Sequence, residues 1–247
     1  MPNIFDIKLV FTQIPALLEY LPVTLAITLF SMIIGVVLGF LIALIRIKKV
    51  TGLSASLAVF VSFIRGTPLI VQLYLSYYGV PILLKYYNYY NDTEYNVNNI
   101  PALVFVLLAF SLNEAAYNSE SLRAAMLSVD KKQIEAAQSL GMTPLQVLYR
   151  VQIPEAFIVA LPTLGNTLIS LMKGTSLAFV CSVIELTARG KILASGSYRY
   201  FEVYVSLALI YWGLTIVTEV MLKFIENRLS VPDAPIKKVG AVSHDRN

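Results

Sequence analysis

Long stretches without charge constrain this chain more than any other feature. No Asp, Glu, Lys or Arg lies between Glu19 and Arg46, and about 20 apolar residues suffice for a helix to cross the hydrocarbon core of a bilayer. The run from Val23 to Ile45 meets that length. A second run, from about Leu53 to Leu84, is longer than a simple crossing needs and holds one charge, Arg65, followed by Gly66, Thr67 and Pro68. A third starts near Ile100, is apolar to Leu112, and then turns polar through Asn113, Glu114, Tyr117, Asn118, Glu120 and Arg123. A fourth runs from Ala156 to Met172 and meets Lys173. A fifth runs from Val203 to about Leu222. The piece after Lys173 is too short for a sixth. Charged residues make up 14% of the chain, against about 25% in a soluble domain, so too little polar surface exists to coat a water-soluble fold. The expected class is all-α and polytopic, with five transmembrane helices.

The domain reading follows from these runs. Residues 1–20 mix apolar positions with Asp6, Lys8 and Glu19 and read as an interfacial helix, with no basic start and small-residue cleavage site of a signal peptide. Residues 21–226 form the membrane domain, with its longest polar loop at about 126–155. Residues 227–247 form a polar tail. Eleven lysines and arginines fall on the side of Arg46, Lys131, Arg150 and the C-terminus, and five on the other. Cytoplasmic loops carry the excess, so the N-terminus is expected outside and the C-terminus in the cytoplasm.

Several chemistries are excluded. The one histidine, His244, sits in the tail and the one cysteine is Cys181, which leaves no metal cluster and no Ser-His or Cys-His pair. A membrane enzyme is therefore disfavoured. The net charge of +4 suits membrane anchoring rather than nucleic-acid binding. No phosphate-cradling Gly-rich loop with Lys is present, so any ATP-driven step needs a separate polypeptide.

The loop at 126–155 has its own punctuation. Asp130 or Ser128 can cap a helix over Lys131 to Leu140, Gly141 is a natural stop, and Thr143-Pro144 opens a second helix, which Ile153-Pro154 is expected to end. Small residues beside an acid suit docking into a groove of another protein; a plain connecting helix is the alternative. Here the sequence resembles the permease subunits of ABC importers. Glu135-Ala136-Ala137, three residues, Gly141, nine residues and Val151-Gln152-Ile153-Pro154 resemble the EAA signature of that family, with Val and Ile at two apolar positions. Arg65-Gly66-Thr67-Pro68-Leu69, Tyr117-Asn118-Ser119-Glu120 and Lys173-Gly174-Thr175-Ser176-Leu177 are similar to blocks of its polar amino acid subgroup. Gly174, where many such permeases have Asp, with Ala178-Phe179 after it and the segment Arg199-Tyr200-Phe201-Glu202-Val203-Tyr204, looks most like cystine permeases.

The resemblance implies the type I importer membrane fold and an ATPase-coupling role for Glu135, Ala136, Ala137, Gly141 and Pro154. It implies ATP and Mg held by separate cytoplasmic ATPase subunits, and an external or periplasmic solute-binding protein. It also implies a bacterial cytoplasmic membrane as the location. Five spans are few for a full pathway, so a second copy in a two-fold homodimer is expected. Charged and polar groups within apolar runs require a reason; Arg65, Thr67, Asn113, Tyr117, Glu120, Lys173, Thr175 and Ser176 are the candidate substrate contacts. Arg65 could hold a carboxylate or pair with Glu114 or Glu120. Glu120 could pair with Arg123. Lys173 could snorkel, or Gly174 could let the helix break there. A proton-coupled secondary transporter, with Glu114 or Glu120 as relay, is the alternative function.

Overall fold

The protein is described by a computed structural model covering residues 5–96 and 99–229. Among the described residues nine helices account for the architecture: α1 Ile7–Leu18, α2 Leu21–Ile47, α3 Leu53–Gly66, α4 Leu69–Asn91 and α5 Ala102–Ser128, followed by α6 Lys131–Ser139, α7 Pro144–Cys181, α8 Leu186–Ser197 and α9 Tyr200–Leu229. Four of these (α2, α5, α7 and α9) are long and apolar enough to cross a membrane. The bent pair α3 and α4 supplies a fifth crossing if counted as one. The expectation of five spans stands on that count. The tail beyond Leu229 lies outside the described residues.

Helix α2 shows why lipid is the solvent. Thr24, Ile27, Thr28, Ser31, Gly35, Gly39 and Ile42 are buried, while Leu29, Phe30, Ile33, Val37 and Leu41 point outward. Both sets repeat at three- to four-residue spacing, so one helix has a packing stripe of small residues and an apolar outer stripe. Water would not tolerate the second; hydrocarbon does. The small stripe lets α2 lie close against α5, the central helix of the bundle. A Cβ built on Gly35 would collide with Glu114 Cβ, and one on Gly39 would sit 3.0 Å from both Ala115 O and Ser119 N.

The second span is broken. Helices α3 and α4 meet at 111° across Gly66-Thr67-Pro68, because Thr67 is extended (φ −114°, ψ 145°), as the residue before a proline prefers. The break leaves backbone carbonyls without helical partners, and a side chain satisfies them. Gln72 Nε2 donates to Ile64 O at 2.7 Å and to Thr67 O at 3.0 Å. Its Oε1 accepts from Asn113 Nδ2 at 2.9 Å, which ties the break to α5.

Two expectations are corrected. Pro154 does not end a helix: it stands in the first turn of Ile153–Gly174, which continues from a π turn at Leu148–Gln152. The π turn before it accommodates the proline, so α7 runs on for 38 residues. Nor does the helix break at Gly174. That residue keeps right-handed helical angles (φ −65°, ψ −23°), and Thr175–Cys181 tightens into a 3₁₀ helix.

The N-terminal helix α1 docks on the last two helices. Ser206 Oγ donates to Val10 O at 2.7 Å, and Leu17 is buried with Leu186, Ala194, Val203 and Leu207. Glu185 caps α8, accepting from Thr187 N at 2.9 Å and Ala188 N at 2.7 Å. Burial raises its carboxyl above the usual carboxylate range, against the downward pull of those two N–H donors.

Candidate functional site

A polar cavity of about 520 Å³ opens between α4, α5 and α7, within the size range of small-ligand sites. Helix α5 contributes Phe110, Asn113, Glu114 and Tyr117. The break in span two contributes Thr67, Pro68 and Leu69. Helix α7 contributes Thr163, Asn166, Thr167, Ser170, Leu171 and Gly174. The α7 set repeats at three- and four-residue intervals, so it is one helix face turned toward the cavity.

Of the eight candidate contacts, Thr67, Asn113 and Tyr117 line this cavity. Thr67 and Asn113 are already committed to the Gln72 network. Glu114 is the one ionisable wall residue with a carboxylate or ammonium, 6% exposed, and it receives a long 3.4 Å bond from Asn118 Nδ2. No ion pair reaches it among the described residues. Thr175 is fully buried and donates to Met172 O at 2.7 Å, a bond that serves the helix. Lys173 is exposed and Ser176 half-buried, and neither lines the cavity.

Arg65 and Glu120 lie elsewhere. They border a separate cavity of about 400 Å³ with Arg46, Ala58, Val61, Ser62, Gly66 and Tyr117. Glu120 is bonded by Arg46 Nη1 from the end of α2 and by Arg123 at 3.0 and 2.8 Å. Arg123 is thus a true i,i+3 partner. The pairing of Arg65 with Glu114 or Glu120 does not occur among the described residues. Arg65 instead lies over the Tyr117 ring, 5.4 Å from its centroid.

The loop element is as punctuated in sequence. Asp130 accepts from Lys132 N at 3.0 Å at the start of α6. Gly141 has φ +81°, a left-handed conformation that favours glycine, and Met142 N returns to Ala137 O at 3.2 Å. Thr143 and Gln146 form a reciprocal capping box at the start of α7. Ala137 faces the bundle at 6% exposure. Glu135, Ala136, Gly141 and Pro154 are exposed, and Leu140, Leu145 and Tyr149 are exposed at 81%, 62% and 65%. The presented face is therefore Glu135, Ala136 and Leu140, with Ala137 serving as its anchor.

Sequence reading missed Glu114 as a wall residue, taking it only as an ion-pair partner or relay, and missed the α7 stripe altogether. The signal for the stripe was there: Thr163, Asn166, Thr167 and Ser170 are polar residues at helical spacing inside an apolar run.

A membrane bundle with a cavity edged by polar side chains and an exposed, capped helix on one loop is the architecture expected of a solute-translocating subunit. Residues 35–231 match the family described as "Binding-protein-dependent transport system inner membrane component", and the chain belongs to that family. It is 39% identical over 230 residues to "Probable amino-acid permease protein YxeN" of Bacillus subtilis, covering 93% of this chain and 98% of that one. It is 36% identical over 229 residues to the L-cystine transport system permease protein TcyL of Bacillus subtilis, covering 93% of each. The fold matches a crystal structure of an amino acid ABC transporter with histidines at a TM-score of 0.76 and 34% identity, over 91% of this chain and 99% of the other. The protein is an amino acid ABC transporter permease subunit, a transport component rather than an enzyme.

Proposed function

We propose that the chain carries a zwitterionic polar amino acid, L-cystine first among candidates, inward across the cytoplasmic membrane. The observation that carries this reading is the cavity between α4, α5 and α7, in which a single buried carboxylate, Glu114, stands among neutral amides and hydroxyls. Glu114 receives the substrate's ammonium, and Asn166, Thr167 and Ser170 offer hydrogen bonds to its polar groups. Thr67, Asn113 and Tyr117 shape the wall. Cystine is supported by the similarity to a relative named for L-cystine transport and by Gly174 at the cavity edge. Lys173, Thr175 and Ser176, which border no part of the cavity, act on helix geometry instead.

In this reading a second copy completes the pathway as a homodimer. Separate ATPase subunits, which hold ATP and Mg, dock against Glu135, Ala136, Leu140 and Gly141. A solute-binding protein delivers the substrate to the opposite face. The loop end of the bundle is then cytoplasmic, the N-terminus outside, and residues 1–20 lie along the outer interface. Closure of the ATPases moves α6, and through the continuous α7 reshapes the cavity. The proton-coupled alternative loses Glu120 as a relay, since that carboxylate is held by two arginines, and is left with Glu114 alone.

The test is ATP hydrolysis by the purified permease–ATPase complex in lipid, against binding protein loaded with single amino acids. Stimulation by cystine-loaded binding protein is expected. Stimulation by a different amino acid alone would discard cystine, and none from an intact complex would discard the amino acid reading. A second expectation concerns Gly174→Asp. A Cβ there meets Phe110 Cε1 at an ordinary 3.9 Å, so the side chain fits and adds a second negative charge at the cavity edge. Uptake of cystine should fall by roughly tenfold, the scale of one misplaced charge-assisted contact. Unchanged competition between cystine and a cationic amino acid would remove Gly174 from substrate choice.

A further inference from the structure

The substrate cavity shares a lining residue with a second space, which shares two with a third. Tyr117 borders both the main cavity and the 400 Å³ cavity of Arg65 and Glu120. Arg46 and Ala58 border that cavity and also an open cleft of about 550 Å³ with Lys49 and Arg123. This last cleft reaches the turn after α2, residues Lys49 to Gly52. The three spaces therefore run down one side of α5, from Asn113 to Arg123, ending at the turn that follows α2.

The charge along this line changes sign. The main cavity offers one carboxylate, Glu114, and no cation. The next two offer Arg46, Arg65, Lys49 and Arg123 against Glu120 alone. Arg46 and Arg123 share that one carboxylate, while Arg65 and Lys49 have no ion pair among the described residues. Arg65 lies over the Tyr117 face, a cation–π contact that uses none of the guanidinium's N–H donors and leaves them for a bidentate acceptor.

We propose that the cavity bounded by Arg46, Arg65, Tyr117 and Glu120 is a second subsite, which takes the substrate's carboxylate after it leaves Glu114. The inference rests on the amino acid reading above and adds to it a relay. The substrate is held first by its ammonium and then, past Tyr117, by its carboxylate. The two recognition steps use the two charged groups of the same zwitterion in turn, so a molecule lacking either charge fails at one of them. The shared Glu120 keeps Arg46 and Arg123 from binding the carboxylate too firmly for release.

The test uses the permease–ATPase complex in lipid nanodiscs and the arginine-selective reagent phenylglyoxal, with modification of the peptide carrying Arg65 followed by mass spectrometry. Millimolar L-glutamine is expected to slow modification of Arg65 by roughly tenfold, the weight of a hydrogen-bonded charged contact. Its decarboxylated counterpart, 4-aminobutanamide, is expected to leave the rate unchanged. Equal rates with and without the amino acid, or equal protection by the amine, would overturn the subsite. In vesicles supplied with loaded binding protein, Arg65→Gln should lower uptake per ATP hydrolysed by a similar factor while ATPase stimulation persists. Unaltered uptake per ATP would also overturn it. Wild-type vesicles that accumulate no amino acid would instead remove the importer reading, and the relay with it; absent protection with normal wild-type uptake removes the relay alone.

Discussion

Gly35→Val should prevent α2 from seating on α5 and leave little folded protein. A Cβ at Gly35 meets not only Glu114 Cβ but also backbone atoms, Glu114 C at 3.2 Å and Ala115 N at 3.3 Å. Backbone of the central helix cannot move aside without disturbing every helix packed on it, and overpacking of this kind costs about 3 kcal/mol or more. The measurement is thermal unfolding and size-exclusion behaviour of the solubilised chain. Gly165→Ala is the internal control. Its Cβ would meet Leu222 Cδ1 at 2.7 Å, the end of a side chain that can rotate away. A Gly35→Val protein that melts like wild type would show that α2 does not pack as described.

Glu135→Lys should separate the permease from its ATPase while sparing the membrane bundle. Glu135 is exposed on α6, and its backbone carbonyl alone serves the fold, accepting from Ser139 Oγ at 2.9 Å. Lysine is as good a helix former as glutamate, so α6 should persist. Reversing one charge in a docking face places like charges where complementary ones stood, an effect of several kcal/mol. Retention of ATPase on the tagged permease should fall at least tenfold, with an unchanged melting curve. Normal co-purification would show that this face does not receive the ATPase.

The two substitutions mark how far sequence alone reaches. Where local chemistry decides, the residues spoke plainly: Asp130, Gly141 and Thr143-Pro144 punctuate the loop as capping rules require. Runs such as Val23 to Ile45 give the spans because lipid demands nearly continuous apolarity. Gly35 and Gly39 stand four apart in the sequence, but their partner on α5 is set by tertiary packing. The choice among three arginines for Glu120 was equally hidden. Arg46 lies 74 positions away in sequence, and no local pattern reports that the end of α2 meets the middle of α5. The stripe from Thr163 to Ser170 was legible but unread, since a span scored by its mean apolarity conceals a polar face. The proline at 154 misled because its usual role as a terminator assumes an ordinary α turn before it, and a π turn precedes it here.

The break in span two has a consequence for acid and salt. Gln72, Asn113 and Thr67 hold it with neutral amides, a hydroxyl and backbone carbonyls. None of these groups titrates in the physiological range, and none depends on a counter-ion. The Arg46–Glu120–Arg123 cluster, by contrast, is partly exposed and weakens as ionic strength rises. The bend between α3 and α4 thus keeps its form in acidified or concentrated surroundings, where a carboxylate strut in its place would loosen.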